Sequence, residues 1–375
     1  MNTYKIVYLI TNCKKTGPMN QTLNIIRNLD KDKFTPIIIT IFPECENNSM
    51  IDSYKEICKE VYCLNMNKFS SILYGRKKLK VLLEEIKPDL IHSVGMPPYT
   101  MSLAYEKSKH LVTLRNYCYE DYPSKYGKVL GNVLAVKDMN LIKKQVKKGE
   151  IFVTCSKSLS NIYKKEHNFN FKFIRNGVDI SKYNPISFEE KIKKKQYLGI
   201  NNKLVYIYTG QMNDRKDQNS AIKSFLLSNI KDSAILILLG DGPNFNELKD
   251  KYSENRNVIF KGNVGNVVEY LQIADVYIST SKSEGMPNGV LEAMAVGLPV
   301  ILSDIPQHKE IVDINNDIGT VYKIGDENEL SQYIDNVEKW DMKTKMESSY
   351  NTVINNLTDK IMSRNYQDLY IDLIK

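Results

Sequence analysis

In SEGMPNGVLEAMAVGLPV (Ser283–Val300), Glu284 and Glu292 flank seven residues that include Gly285, Pro287 and Gly289. Carboxylates accept hydrogen bonds from hydroxyl groups, and the residues between them supply something different. Asp275–Thr280 upstream is apolar and β-rich, the pattern of a buried strand. Val290–Val296 downstream consists of strong helix formers, with Gly297 at the position of a helix C-terminal glycine. The turn between them therefore ends in a helix start, whose unpaired backbone N–H groups form an anion site. A ligand with phosphates at its centre and hydroxyls on both sides suits two acids placed around such a start.

The elements that must position these residues recur along the chain. Strand candidates at Lys5–Ile10, Ile37–Ile41, Leu90–His92, Leu111–Leu114 and Ile151–Thr154 alternate with helical stretches. The second half repeats the rhythm at Leu204–Thr209, Ile235–Leu239, Val258–Phe260, Val276–Ser279 and Val300–Leu302. This alternation predicts an α/β fold of parallel sheets covered by helices, and 375 residues favour two such domains over one. Turn formers in RNGVDISKYNP (Arg175–Pro185), followed by the charged run Phe188–Gln196, mark the expected linker. Residues 1–180 form the expected first domain and residues 181–355 the second. In 356–375, Tyr366, Leu369, Tyr370, Leu373 and Ile374 share one helical face, which predicts a closing helix.

Composition excludes several classes. No apolar run reaches the roughly 18 residues needed to span a bilayer, and the apolar stretch in MNTYKIVYLITNCKK is too short for a signal peptide. The six cysteines are scattered without a CxxC pair, so reduced cytosolic thiols are expected. The four histidines are dispersed and predict no metal site. A net charge of +8 invites an anionic partner, but no nucleic-acid motif accompanies it.

The segment Ser281–Gln307 resembles the retaining glycosyltransferases of family four, whose hallmark is Glu, seven residues, Glu in a context like EGMPNxxLEAMAxGxPVI. RNGVD (Arg175–Asp179), YTGQMNDRKDQNSAI (Tyr208–Ile222), LLGDGPNFNEL (Leu238–Leu248) and KGNVGNVVEYLQIADVYISTS (Lys261–Ser281) are similar to further family segments in the same order. TGPMNQTLNIIRNL (Thr16–Leu29) and PDLIHSVG (Pro88–Gly95) extend the resemblance, more thinly, into the first half.

The resemblance implies the GT-B fold: two Rossmann-like doubly wound domains, a deep interdomain cleft that closes for reaction, and a C-terminal helix returning to the first domain. Glu292 would hold the ribose of a nucleotide and Glu284 the hydroxyls of the transferred sugar. Gly285, Met286, Pro287, Asn288, Gly289 and Val290 would form the binding turn, with backbone amides of Met286 to Val290 receiving the phosphates. Lys216 would bind the diphosphate. The family's arginine after Gly210 is replaced by Gln211; Arg215, by its position beside Lys216 rather than by the resemblance, would supply the missing charge. Asp241 and Gly242 would shape the nucleotide pocket, and Gly17 would approach donor or acceptor closely. The family's histidine after the fifth strand is replaced by Arg115, followed by Asn116, which leaves His92 and Arg115 as acceptor-side candidates. An arginine cannot act as a base at neutral pH.

The implied reaction is retaining hexosyl transfer from a nucleotide-sugar, by family habit a UDP-sugar, to a saccharide or lipid-linked acceptor of bacterial capsule or O-antigen. No metal or further cofactor is expected. Lys125–Glu150 carries seven lysines and two acids beside an apolar stripe, which suits contact with an anionic membrane surface from the cytoplasmic side. A sugar-nucleotide epimerase of the same fold is the alternative enzyme, and a basic nucleic-acid-binding protein the remote non-enzymatic one. A dinucleotide-dependent oxidoreductase is disfavoured, because the Gly240–Phe245 turn lacks the third glycine of GxGxxG.

Overall fold

The computed structural model describes residues 3–200 and 203–375. Met1, Asn2, Asn201 and Asn202, which fall inside the expected domain ranges, lie outside the described residues. The chain divides into two units, residues 1–177 with 359–375 and residues 178–358.

The first unit holds a seven-stranded, all-parallel sheet: β1 (Tyr4–Ile10), β2 (Phe34–Thr40), β3 (Glu60–Cys63), β4 (Leu90–Val94), β5 (Lys109–Leu114), β6 (Ile151–Thr154) and β7 (Lys172–Phe173). Its order is β3-β2-β1-β4-β5-β6-β7. β1 lies between two neighbours with helices over both faces, so its residues are apolar on both sides, as parallel strands require. Ile6, Tyr8 and Ile10 point into one core layer, with Leu23 and Ile26 of the helix Gly17–Arg27 and with Tyr366, Leu369 and Tyr370 of the final helix, Asp359–Ile374. Val7 and Leu9 point the other way, against Leu79 and Leu83 of the helix Gly75–Ile86. This is the period-two alternation of a strand.

The second unit repeats the design in six parallel strands: β8 (Leu204–Thr209), β9 (Ala234–Leu239), β10 (Val258–Gly262), β11 (Val276–Ser279), β12 (Val300–Ser303) and β13 (Gly319–Tyr322), ordered β10-β9-β8-β11-β12-β13. Both sheets reverse direction of growth once, between β1 and β4 and between β8 and β11. Ligands of doubly wound sheets collect outside the strand ends at such points.

The structure corrects the expected linker. The run Phe188–Gln196 belongs to a helix, Phe188–Tyr197, opened by a capping box between Ser187 and Glu190. Lys191 and Lys195 both reach the carboxylate of Asp275, at 2.8 and 2.6 Å, which seats the helix on the second unit. Lys191 and Lys195 dock the helix, while Glu189, Glu190 and Lys193 remain exposed.

Candidate functional site

In the second unit the motif sits at the switch point. β11 ends at Ser279, the chain turns through Ser281–Pro287, and the helix Asn288–Ala295 begins. Gly289 explains its own identity: a Cβ there would lie 2.5 Å from both Thr209 Oγ1 and Tyr277 OH, so only glycine lets the helix start press against the ends of β8 and β11. Gly285, Met286 and Pro287 are buried, whereas Asn288 and Gly289 are partly exposed. The Val290 N–H already donates to the Pro287 carbonyl at 3.0 Å and Pro287 has no N–H, so neither is among the amides offered to an anion.

The turn after β8 faces this helix start. Tyr208 OH donates to the Lys216 carbonyl at 2.5 Å and Thr280 Oγ1 donates to the Asp217 carbonyl at 2.6 Å, tying the turn to the end of β11. Gly240 underlies it with φ +125°, and a Cβ there would fall 2.0 Å from the Gly210 carbonyl oxygen. Asp241 accepts from the Gly242 N–H, and its carbonyl accepts from the Met212 N–H at 3.0 Å. Asp241 and Gly242 thus brace the loop that carries Gln211 to Lys216. Gln211 is exposed, and its carbonyl accepts from Gln218.

This bracing brings three charges together. Lys216 Nζ lies 2.5 Å from one oxygen of Glu284, and Arg215 Nη1 lies 3.1 Å from the other while also donating to the Ser283 carbonyl. Glu284 is only 6% exposed. Burial alone pushes its carboxyl up, but Lys216 and Arg215 more than reverse this and hold it at about 2. Arg215 and Lys216 thus each hold one oxygen of the same carboxylate, while Gln211 is exposed.

Glu292 differs. Burial pushes its carboxyl up to about 7 against the opposing pull of Lys182 and a hydrogen bond from Tyr183. Its side chain keeps some accessible surface. Tyr183 and Lys182 escaped sequence reasoning because they lie in the turn-rich segment read as linker. His308 was also missed. It is fully buried, its Nδ1 donates to the Ser303 carbonyl at 3.0 Å, and its Nε2 has no partner among the described residues. Burial drives the imidazole down to about 4 despite nearby Glu284, so it is neutral. Its position soon after the strand that follows the motif was the available signal.

The first unit has a cavity of about 860 Å³ at the carboxyl ends of β1, β4 and β5. Thr16 and Pro18, on either side of Gly17, line it, as do Arg115 and Asn116. Arg115 Nη1 donates to Asn176 Oδ1 at 2.6 Å, while Nε and Nη2 find no hydrogen-bond partner among the described residues. Lys14, Arg76 and Lys137 add positive charge to the lining and Asp121 and Asp138 negative charge, with Lys125 paired to Asp121 at 2.6 Å.

His92 is a correction. It is fully buried in β4, with Nδ1 2.8 Å from Tyr370 OH and Nε2 2.7 Å from Thr113 Oγ1. With both ring nitrogens engaged, it anchors the final helix to the sheet and cannot reach an acceptor.

Two doubly wound parallel sheets of this kind match the GT-B fold of solved glycosyltransferase structures. Residues 189–352 match the family model described as glycosyl transferases group 1. The chain is 28% identical over 221 residues to the UDP-Gal:alpha-D-GlcNAc-diphosphoundecaprenol alpha-1,3-galactosyltransferase of Escherichia coli, covering 54% of each chain. It is 25% identical over 322 residues to the O-antigen biosynthesis glycosyltransferase WclY of Escherichia coli, covering 82% of each. The chain spans about half the length of several curated relatives it matches. Among solved structures, Alr3699/HepE of Anabaena in complex with UDP superposes with a TM-score of 0.77 at 18% identity, over 98% of this chain and 100% of that one.

Proposed function

We propose that the protein transfers a hexose from a nucleotide-sugar, a UDP-sugar first among candidates, to a saccharide or lipid-linked acceptor in bacterial surface polysaccharide assembly, with retention of configuration. The observation that carries this reading is the Glu284 carboxylate gripped by Lys216 and Arg215 beside the start of the helix that bears Glu292. Glu284 accepts the sugar hydroxyls, Lys216, Arg215 and the helix-start amides receive the diphosphate, and Glu292 takes the ribose. The acceptor occupies the cavity of the first unit, where Arg115 offers donors to an anionic group. In transfer, the bond from the anomeric carbon to the diphosphate oxygen breaks and one to the acceptor hydroxyl oxygen forms. The acceptor proton passes to the departing diphosphate. Fixed cations and amides stabilise the charge that develops there, so the step calls for no separate protein base.

The nucleotide in the solved Anabaena complex and the undecaprenol-linked substrate in the name of the Escherichia coli relative support the substrate classes. Among the described residues no helix is long and apolar enough to cross a membrane. Contact with the inner face of the cell membrane is accordingly proposed as peripheral.

A donor panel with mass detection of released nucleotide, and nuclear magnetic resonance of the product anomer, tests the reading. Turnover of a UDP-sugar to an anomerically retained product supports it, and absence of binding and turnover with every donor sinks it. Release of an isomerised sugar without acceptor would instead favour the epimerase. Full transfer in excess chelator is expected, and restoration of a chelator-abolished rate by magnesium or manganese would overturn the metal-free reading.

A further inference from the structure

The turn-rich segment 178–185 is bound to the second unit at both ends. The Val178 N–H donates to the Leu357 carbonyl at 2.9 Å, and the Asn184 carbonyl accepts from Gln272 Nε2 at 3.0 Å. Between these anchors Asp179 folds the chain back on itself. Its Oδ1 accepts from the N–H groups of Ser181 and Lys182, and its carbonyl accepts from the Tyr183 N–H at 2.9 Å. Pro185 then rests beside Gly297, just past the helix Asn288–Ala295, where a Cβ would lie 3.9 Å from Pro185 Cγ. The segment thereby delivers Tyr183, only 8% exposed, to Glu292 on that helix.

Glu292 needs such a neighbour, because the buried residues of its own helix are apolar: Val290, Leu291, Ala293, Met294 and Ala295. Burial favours the protonated acid there, and the charged or titratable groups facing it come from other elements. They are Lys182 and Tyr183 from this segment, Lys216 from the turn after β8, and Tyr277 from β11. Lys216 is already committed to Glu284, and the Tyr277 hydroxyl donates to the Thr209 carbonyl at 3.2 Å. Tyr183 donates its hydroxyl to Glu292, and Lys182 Nζ stands 5.1 Å from the centre of the Tyr183 ring. A packing role would need only the ring, whereas a buried phenol calls for a hydrogen-bond partner and here meets a carboxylate. Burial, reinforced by the nearby carboxylates of Glu292 and Asp179, pushes the Tyr183 hydroxyl up, so it stays a donor throughout the working pH range.

We infer that Tyr183 is a positioning residue for nucleotide recognition: its hydroxyl, with Lys182 behind it, holds Glu292 as an oriented carboxylate ready for the ribose hydroxyls. This deepens the proposed function and rests on the assignment of Glu292 to the ribose. A protonated Glu292 would present a hydroxyl of its own, which competes with the ribose hydroxyls as a donor. An ionised carboxylate accepts at both oxygens, so one hydrogen bond from Tyr183 leaves room for the ribose. The hydrogen bond thus offsets the burial that favours the acid and fixes the side chain in one orientation.

The test is calorimetric titration of the full chain with UDP and with 2′-deoxyuridine diphosphate between pH 6 and pH 9. Wild type, Tyr183→Phe, Lys182→Gln and Glu292→Ala are compared. Tyr183→Phe keeps the ring, so its melting temperature should stay near wild type. Its UDP affinity should follow pH with a midpoint about one pH unit higher, which makes it about fivefold weaker at pH 7 and within about twofold of wild type at pH 9. The preference for UDP over the deoxy analogue should fall at pH 7 and return at pH 9. Lys182→Gln should move the midpoint the same way by less, and Glu292→Ala should bind weakly at every pH. A loss in Tyr183→Phe that is independent of pH and equal for the two nucleotides overturns the positioning role. So does unchanged affinity in Tyr183→Phe while Glu292→Ala is weakened, and either result leaves Glu292 at the ribose. Should Tyr183→Phe fail to fold, an unmoved midpoint in Lys182→Gln overturns the inference instead. Wild-type affinity in Glu292→Ala, or no UDP binding by wild type, sinks the ribose assignment and the inference with it.

Discussion

The two units share a strand order and a switch point, yet they use them in opposite ways. In the second unit the switch point is filled: loops after β8 and β11 interlock, and three charged side chains satisfy one another around Glu284. In the first unit the equivalent edge is open, with a cavity and an arginine that keeps two buried nitrogens unsatisfied. A closed, prepaired site suits a ligand part of fixed charge, such as a nucleotide diphosphate. An open cavity suits a bulkier partner, such as an acceptor. One scaffold supports both because the loops at the strand ends, rather than the sheets, shape each site.

The largest expected effect tests the closed site. Glu284→Gln keeps the shape but removes the charge from Lys216 and Arg215, and transfer should fall roughly a hundred- to a thousandfold while UDP affinity by calorimetry stays near wild type. Glu284→Ala should also destabilise the protein, by up to about 3–5 kcal/mol, because the largely buried Lys216 loses its carboxylate and Arg215 loses one of its acceptors. The Glu284 carboxyl sits at about 2 in the fold, below its ordinary value near 4.5, so its stabilisation is complete above pH 4.5. It is lost as the pH falls towards 2, and the melting curve of Glu284→Gln should lack that acid-limb loss. Turnover equal to wild type in both variants would remove Glu284 from the site.

Glu292 supplies the next effect, with opposite sign. Its carboxyl sits at about 7, above the ordinary 4.5, so the protonated form favours the fold below pH 4.5 and that advantage is lost as pH rises through 7. Glu292→Gln should therefore melt higher than wild type at pH 8, by up to about 3 kcal/mol in stability, and converge with it by pH 4.5. Ribose hydroxyls need the carboxylate, so wild-type UDP affinity should rise between pH 5.5 and 8 and Glu292→Ala should weaken it by about 1–3 kcal/mol at pH 8. A flat wild-type affinity profile would disconnect Glu292 from the nucleotide.

Arg115→Ala probes the open site. It should raise the acceptor KM by roughly ten- to a hundredfold, the worth of a charge-assisted hydrogen bond, and leave UDP affinity untouched. Equal losses for donor and acceptor would break the division of labour between the units. His92→Phe should lower the melting temperature without a specific KM effect, as fits a core residue. The smallest contrast lies within the diphosphate loop, where Arg215→Ala should slow transfer more than Gln211→Ala. The reverse order would return the charge role to the position after Gly210.

Sequence alone determined the parallel α/β architecture, because strands buried on both faces between amphipathic helices leave a periodicity that local chemistry cannot imitate. β11, β8 and the motif turn between Glu284 and Glu292 were legible for that reason. The strands missed, β3, β7 and β13, are short, and each lies second to or at a sheet edge, with part-exposed residues that blur the apolar signal. Tertiary structure alone decided which charges meet. Lys216 and Arg215 stand 68 and 69 residues from Glu284 and reach it only because β8 and β11 are neighbours in the sheet. Folding likewise buried His92 between two tyrosine-bearing helical turns and β5, and left Val129 and Val133 in solvent. Periodicity reports that a face is apolar, but only the packing of distant segments determines whether anything covers it.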